Sequence, residues 1–207
     1  MRAWLDDAVL EVGAGTLAAG LEAARVAAGR AGRVVIEATI DGHPIPESIL
    51  LDPAPGDVDA EVRFVTADPA ELVATTLQGV AGTLEGAKED QREAAELIQT
   101  GRLQDAMERL QSALRTWETV RQAVTDGCSL LGRSPDEVTV ALPGGGTGRV
   151  GEATAGLAGA LGELKRALGA QDWSALADTL GFDMQDQADG WHELLLALAA
   201  SLGGRAG

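Results

Sequence analysis

Residues 58–71 read VDAEVRFVTADPAE, and within this stretch the chain changes period. Val58, Ala60, Val62 and Phe64 alternate with Asp59, Glu61 and Arg63, the two-residue rhythm of a strand with one face buried. Asp68-Pro69-Ala70-Glu71 then carries two independent helix-start signals. Asp68 stands as N-cap with Glu71 at the third helical position, and Pro69 falls where its missing N–H is harmless. A sheet therefore precedes this point and helices follow it, which predicts an α+β protein.

Downstream, Val73, Leu77, Val80, Leu84, Ala87, Gln91, Ala94 and Ile98 recur in steps of four and three, with Gln91 the one polar break. Thr100-Gly101 punctuates. A second seam runs through Leu103, Met107, Leu110, Leu114, Trp117, Arg121, Val124, Cys128 and Leu131, interrupted by Arg121. So short a turn folds two helices back as an antiparallel hairpin, with arms about 45 Å long at ~1.5 Å per residue. Gly101, Ala106, Leu110 and Ala113 are also similar to half of a tetratricopeptide repeat. No neighbouring repeat follows, and the coiled-coil-like hairpin is the preferred reading.

Upstream, Met1, Ala3 and Leu5 alternate, Asp6-Asp7 offers a turn, and Ala8, Leu10 and Val12 alternate again, predicting a hairpin. Thr16 can cap a helix whose apolar face is Leu17, Leu21, Ala24 and Ala28. A third strand places Val34, Ile36, Ala38 and Ile40 on one face and stops at Asp41-Gly42, a tight-turn dipeptide. Prolines 44, 46 and 53 demote the segment with Ile45 and Ile49 to Leu51 to an edge or irregular stretch. The order β-β-α-β-(β)-β over residues 1–66 resembles the β-grasp, or ubiquitin-like, fold. That resemblance implies a sheet gripping one helix. Carriers and modifiers of that fold act through a C-terminal Gly-Gly. Gly203-Gly204 follows a helix and is trailed by Arg205-Ala206-Gly207, so it reads as a helix end.

If Leu5, Val34, Ile36, Val62 and Phe64 face the helix, Trp4, Val35 and Val65 face away, among Arg2, Glu37 and Arg63. These three form the candidate interaction surface, since apolar patches rimmed by charge mark binding sites. Docking of the chain's own helices on this face is the favoured expectation, because the connection at Thr66 to Asp68 is short. A partner-binding face is the alternative.

Behind the helical hairpin, Pro135, Pro143 and five glycines between Ser134 and Gly151 predict a linker. Val150, Ala153, Leu157, Leu161, Leu164 and Leu168 mark a third helix. Trp173, Leu176, Ala177 and Leu180 mark a fourth, which can run through Gly181 into a fifth with Met184, Ala188, Trp191, Leu195, Leu198 and Leu202. The expected division is thus a β-grasp-like α/β unit over 1–66, a long helical hairpin over 67–133, a Gly/Pro-rich linker over 134–149 and further bundle helices over 150–203.

Composition narrows the function. The 207 residues carry 32 acidic against 16 basic side chains, a formal charge of -16, and that field repels nucleic acid and anionic lipid. No run approaches the ~20 apolar residues of a membrane span, and the N-terminus lacks signal-peptide order. With Cys128 the single cysteine, no internal disulfide forms, and a cytoplasmic, reducing setting is expected. Arg outnumbers Lys, Lys88 and Lys165 being the two lysines, and Ala and Gly abound, a pattern of bacterial GC-rich genomes.

Gly146-Thr147-Gly148-Arg149-Val150-Gly151 matches G-x-G-x-x-G, opens a helix and follows the β-like run Val138 to Leu142, the setting that seats a pyrophosphate on a helix N-terminus. No second strand follows that helix, and Asp172, where an acidic residue would fall, reads as a helix cap. His43 and His192 have no nucleophile beside them in any motif. Asp57 with Asp59, and Asp183 with Asp186 and Asp189, lack the central Gly and distal Glu of a calcium loop. No catalytic, cofactor-binding or metal-ligating residue is therefore expected, and no cofactor. The expected function is a non-enzymatic protein-interaction or adaptor module of the bacterial cytosol, partnered by another protein or by itself. The alternatives are a secretion or flagellar export chaperone-like protein and, from another class, a nucleotide-binding enzyme or Gly-Gly carrier.

Overall fold

The structure, a computed structural model, describes residues 1–204 and is α+β, with a five-stranded mixed sheet followed by helices. The chain divides into two compact units, Met1–Leu72 and Val73–Gly207, with the boundary six residues beyond the expected residue 66.

In the first unit, β1 (Arg2–Leu5) and β2 (Ala8–Leu10) form the expected hairpin, and α1 (Leu17–Arg30) starts where Thr16 Oγ1 accepts from Ala19 N at 3.2 Å. Strand β3 (Val34–Ile40) turns at Asp41-Gly42, both with positive φ, into β4 (His43–Pro44). The proline-rich stretch that follows includes a short helix, α2 (Glu47–Leu51), with no buried residue. Strand β5 (Glu61–Ala67) begins three residues later than the alternation from Val58 predicts, because Asp57 instead pairs with Thr16. The sheet order is β2-β1-β5-β3-β4, with β1 and β5 parallel and the other pairs antiparallel. Helix α1 packs Leu17, Leu21 and Ala24 against Ala38, Val62 and Phe64. The fully buried Phe64 and Val62 each contribute on the order of 1.5 to 3 kcal/mol by leaving water.

Strand β3 corrects one expectation. Its register against β5 shifts between Val35 and Glu37, so Val35 pairs with Thr66, Glu37 pairs with Val65, and Ile36 is the extra residue of a bulge. An extra residue reverses the alternation on one side of it. Val35, expected on the open face, packs against the helix-side core, and Ile36, expected inside, is exposed.

The second unit is built on α3 (Pro69–Gln99), whose first four residues belong to the first unit, and α4 (Leu103–Leu130), joined at Gly101 with φ 78°. Asp68 Oδ1 accepts from Ala70 N at 2.7 Å and caps α3 as expected. Ion pairs from Arg109 to Asp90 at 3.2 Å and Glu93 at 2.8 Å near the turn, with Gly127 against Val73 at the far end, establish the antiparallel hairpin. The stretch expected to be a linker is ordered as a 3-10 turn (Pro135–Glu137) and a hairpin of β6 (Thr139–Ala141) and β7 (Thr147–Arg149). Val138 and Val140 are buried, which holds the hairpin to the core, and Gly145 and Gly146 take the positive φ of its turn.

Helix α5 (Val150–Ala170) follows directly. Helix α6 (Trp173–Asp178), capped by Asp172 Oδ1 on Ala175 N at 3.1 Å, runs through a π-helical turn (Thr179–Asp183) into α7 (Met184–Gly203) without a break, as the sequence allowed through Gly181. Helix α7 lies antiparallel to α3, since Gln185 Nε2 donates to Lys88 O, Lys88 pairs with Asp189 at 2.7 Å, and His192 Nδ1 donates to Ala81 O at 3.1 Å. No helix among the described residues is long and apolar enough to cross a membrane.

Candidate functional site

The open face of the sheet is set by strand pairing. Trp4 lies opposite Val9 on β2 and beside Arg63 on β5, and Arg63 lies opposite Thr39 on β3. The Arg63 guanidinium sits 5.2 Å from the Trp4 ring centroid and is held there by Glu61 Oε1 at 2.7 Å. A cation over an indole face contributes about 0.5–1 kcal/mol at an exposed site, so Trp4 is half-covered rather than free. Around it Val9 is 69%, Ile36 50% and Val65 38% exposed. Of the three candidate residues the structure thus brings Trp4 and Val65 together on this face and turns Val35 away. Val9 and Ile36 take its place. Val9 was legible from its position opposite Trp4, whereas Ile36 depends on the bulge.

The end of β5 is clamped at Thr66, which is buried on the helix side of the sheet. Its backbone N–H and hydroxyl donate to the Asp6 carboxylate, both at 2.8 Å, while its hydroxyl and carbonyl accept from Arg33 Nε at 2.6 Å and Nη2 at 2.8 Å. The bonds from Thr66, backbone first and then hydroxyl, and the Arg33 charge hold the Asp6 carboxyl below its ordinary range. One residue of β5 thereby ties the β1–β2 turn to the loop that follows α1.

The glycine motif at 146–151 serves packing. Gly146 turns the β6–β7 hairpin. A Cβ on Gly148 would stand 2.7 Å from Leu194 and 3.0 Å from Leu142, and one on Gly151 would stand 2.7 Å from Asp136 Oδ1 and 3.1 Å from its Cα. Protein atoms therefore stand where a Cβ on Gly148 or Gly151 would be. Arg149 pairs with Glu152 at 2.9 Å. His43 bonds the Asp41 carbonyl at 3.2 Å, and Asp189 is engaged by Lys88. Among the described residues no group of three or more His, Cys, Asp or Glu is placed to hold a metal ion. Gly203 ends α7 and Gly204 caps it. Arg205 to Gly207 lie outside the described residues.

The two polar breaks in the helical seams have different fates. Gln91 is fully buried. With its amide oriented to suit its neighbours, it accepts from Trp117 Nε1 at 2.6 Å and donates to Met184 O at 3.2 Å, joining α3, α4 and α7. Arg121 is not in the seam. It is exposed and pairs with Glu118 at 2.6 Å.

The helical unit also contains a feature that sequence reasoning missed. A cavity of about 190 Å³ lies between α3, α4, α7 and β6. Its floor is apolar, with Leu77, Val124, Val140, Leu198 and Leu202 all buried, and Cys128 also lines it. Burial pushes the Cys128 thiol up, partly offset by the Arg133 charge. Arg133 and Ser201 line the cavity and are exposed. Each helical floor residue reads as an ordinary seam position, and the space arises only where three helices meet the β6–β7 hairpin. Comparison with known proteins places the chain beside none of them: no family model, no curated protein and no solved structure matches it.

Proposed function

We propose that the protein is a non-enzymatic protein-interaction module of the cytoplasm, and that the open sheet face is its contact surface. The observation that carries this reading is the cluster of Val9, Ile36 and Val65, exposed around the Trp4–Arg63 stack. Apolar side chains grouped on one face and bordered by Arg2, Glu37 and Glu61 have the make-up of an interface core with a charged rim. A five-stranded sheet with α1 packed on its core supports the β-grasp resemblance drawn from element order, in which one sheet face stays available. The packed state of Gly148 and Gly151 weighs against the nucleotide-binding alternative, and the placement of Gly203 at a helix end weighs against a Gly-Gly carrier.

The reading takes the partner to be another protein. The test is capture from the native host with the full chain and with Ile36→Glu and Val65→Glu. Proteins held by the parent chain and lost on both variants support the reading. An unchanged set of captured proteins, or a melting temperature raised by ATP or NAD, overturns it. Sedimentation of the parent chain alone separates self-association from a foreign partner.

A further inference from the structure

We infer that the cavity beside Cys128 is a binding site for a small aliphatic carboxylate, whose chain lies against Leu77, Val124 and Leu198 and whose carboxylate meets Arg133. Two independent observations carry this. The first is size and lining. Folded interiors hold few voids larger than a water molecule, and an apolar cavity of about 150 Å³ stays dry and accepts a ligand as large as benzene. This one measures about 190 Å³ and has a floor of buried aliphatic side chains. The second is charge. Arg133 lines the cavity, is exposed, and makes no side-chain hydrogen bond or ion pair among the described residues, so its guanidinium stands at the rim with its donors unengaged.

A guanidinium presents a planar fork that suits a carboxylate. The formal charge of -16 opposes polyanions over longer range, so a ligand with one negative group and an apolar body fits best. This site is separate from the sheet face and stands whether or not that face binds a partner.

Cys128, the single cysteine, reports occupancy from inside the cavity. The rate at which a small neutral thiol reagent labels the native full chain is measured with octanoate, octan-1-ol and octylammonium as probes, alongside calorimetric titration. Octanoate is expected to slow labelling in a saturable manner and octylammonium to leave it unchanged. Arg133→Gln should weaken octanoate about tenfold and leave octan-1-ol unaffected. Leu198→Trp, which fills the chamber, should abolish protection. If that variant does not fold, Arg133→Gln decides, because its side chain is exposed. Unchanged labelling with octanoate, equal protection by octylammonium, or undiminished octanoate binding in Arg133→Gln overturns the inference.

Discussion

Helices α3 and α4 are close in length and pack on one another, yet they bury different side chains. Helix α3 buries two stripes. Val73, Leu77, Val80, Leu84, Ala87, Gln91, Ala94 and Ile98 form one, and Ala74, Ala81 and Ala95 form a second at heptad spacing. The second stripe meets α7, where Ala81 O accepts from His192, and the π-helical turn before it, where Ala95 lies 3.8 Å from the Cβ position of Gly181. Helix α4 buries one narrow stripe of Ala106, Leu110, Ala113, Trp117, Val120, Val124, Gly127 and Cys128. A helix flanked on two sides needs a wide apolar arc. A helix flanked on one side can approach closely through Ala and Gly and leave larger residues at the margin, as Leu114, 37% exposed, illustrates.

The strongest test of this contrast is Trp117→Ala. Trp117 is the one large anchor in the narrow stripe of α4, and its loss should cost about 3 to 5 kcal/mol by urea unfolding. A cost below ~1 kcal/mol would mean that α4 is held elsewhere. Next, Leu110→Ala should cost roughly 2 to 5 kcal/mol as a core truncation, whereas Leu114→Ala, at an exposed position, should stay within about 0.5 kcal/mol. Equal losses would return Leu114 to the seam. Gln91→Leu should cost about 1 to 3 kcal/mol, because the Trp117 N–H and the Met184 carbonyl lose their partner. Combining it with Trp117→Phe should recover part of that loss, and purely additive losses would show that the contact is not shared.

Two smaller effects sharpen the comparison at the start of α3 and beyond it. Asp68→Ala should cost on the order of 1 kcal/mol through loss of the cap, and a neutral result would move the helix start. The last contrast is along pH. Asp6 has its folded carboxyl below its ordinary range, so its contribution is present above about pH 4 and is lost as pH falls through the lower folded value. Asp6→Asn should therefore lose about 1 kcal/mol at neutral pH, a figure reduced for solvent screening. The difference from the parent should vanish in acid, and a pH-independent difference would remove the carboxylate from the clamp.

These elements were unequally legible. The α3 seam could be read residue by residue because its large apolar positions are its buried positions. The α4 seam slipped, since Leu103, Met107, Leu114 and Leu131 drew the stripe toward large residues while small ones make the contact. In β3, Val34-Val35-Ile36 are all β-branched or aliphatic, so alternation could not show the bulge that exchanges the places of Val35 and Ile36. Glycine content turned 134–149 into an expected linker, although Gly148 is small because Leu142 and Leu194 crowd it, and the alternation of Val138 and Val140 was the visible sign of a strand. For the open sheet face, Trp4 and Val65 could be found from pattern. The cavity could not, because no single element encodes it.

The π-helical turn at Thr179–Asp183, with Phe182 standing 70% exposed beside the buried Leu180, has a consequence for how this chain tolerates changes in length. A π turn contains one residue more than the α turn it replaces. The flanking helices α6 and α7 already face the core correctly with that residue present, so its removal restores ordinary helical pitch without rotating either side. Elsewhere in α7 a single deletion would swing every following residue by about 100° around the axis and expose Leu195 and Leu198. Length variation in this long helix therefore has one natural address, and homologues a residue shorter here would be expected to keep the same core.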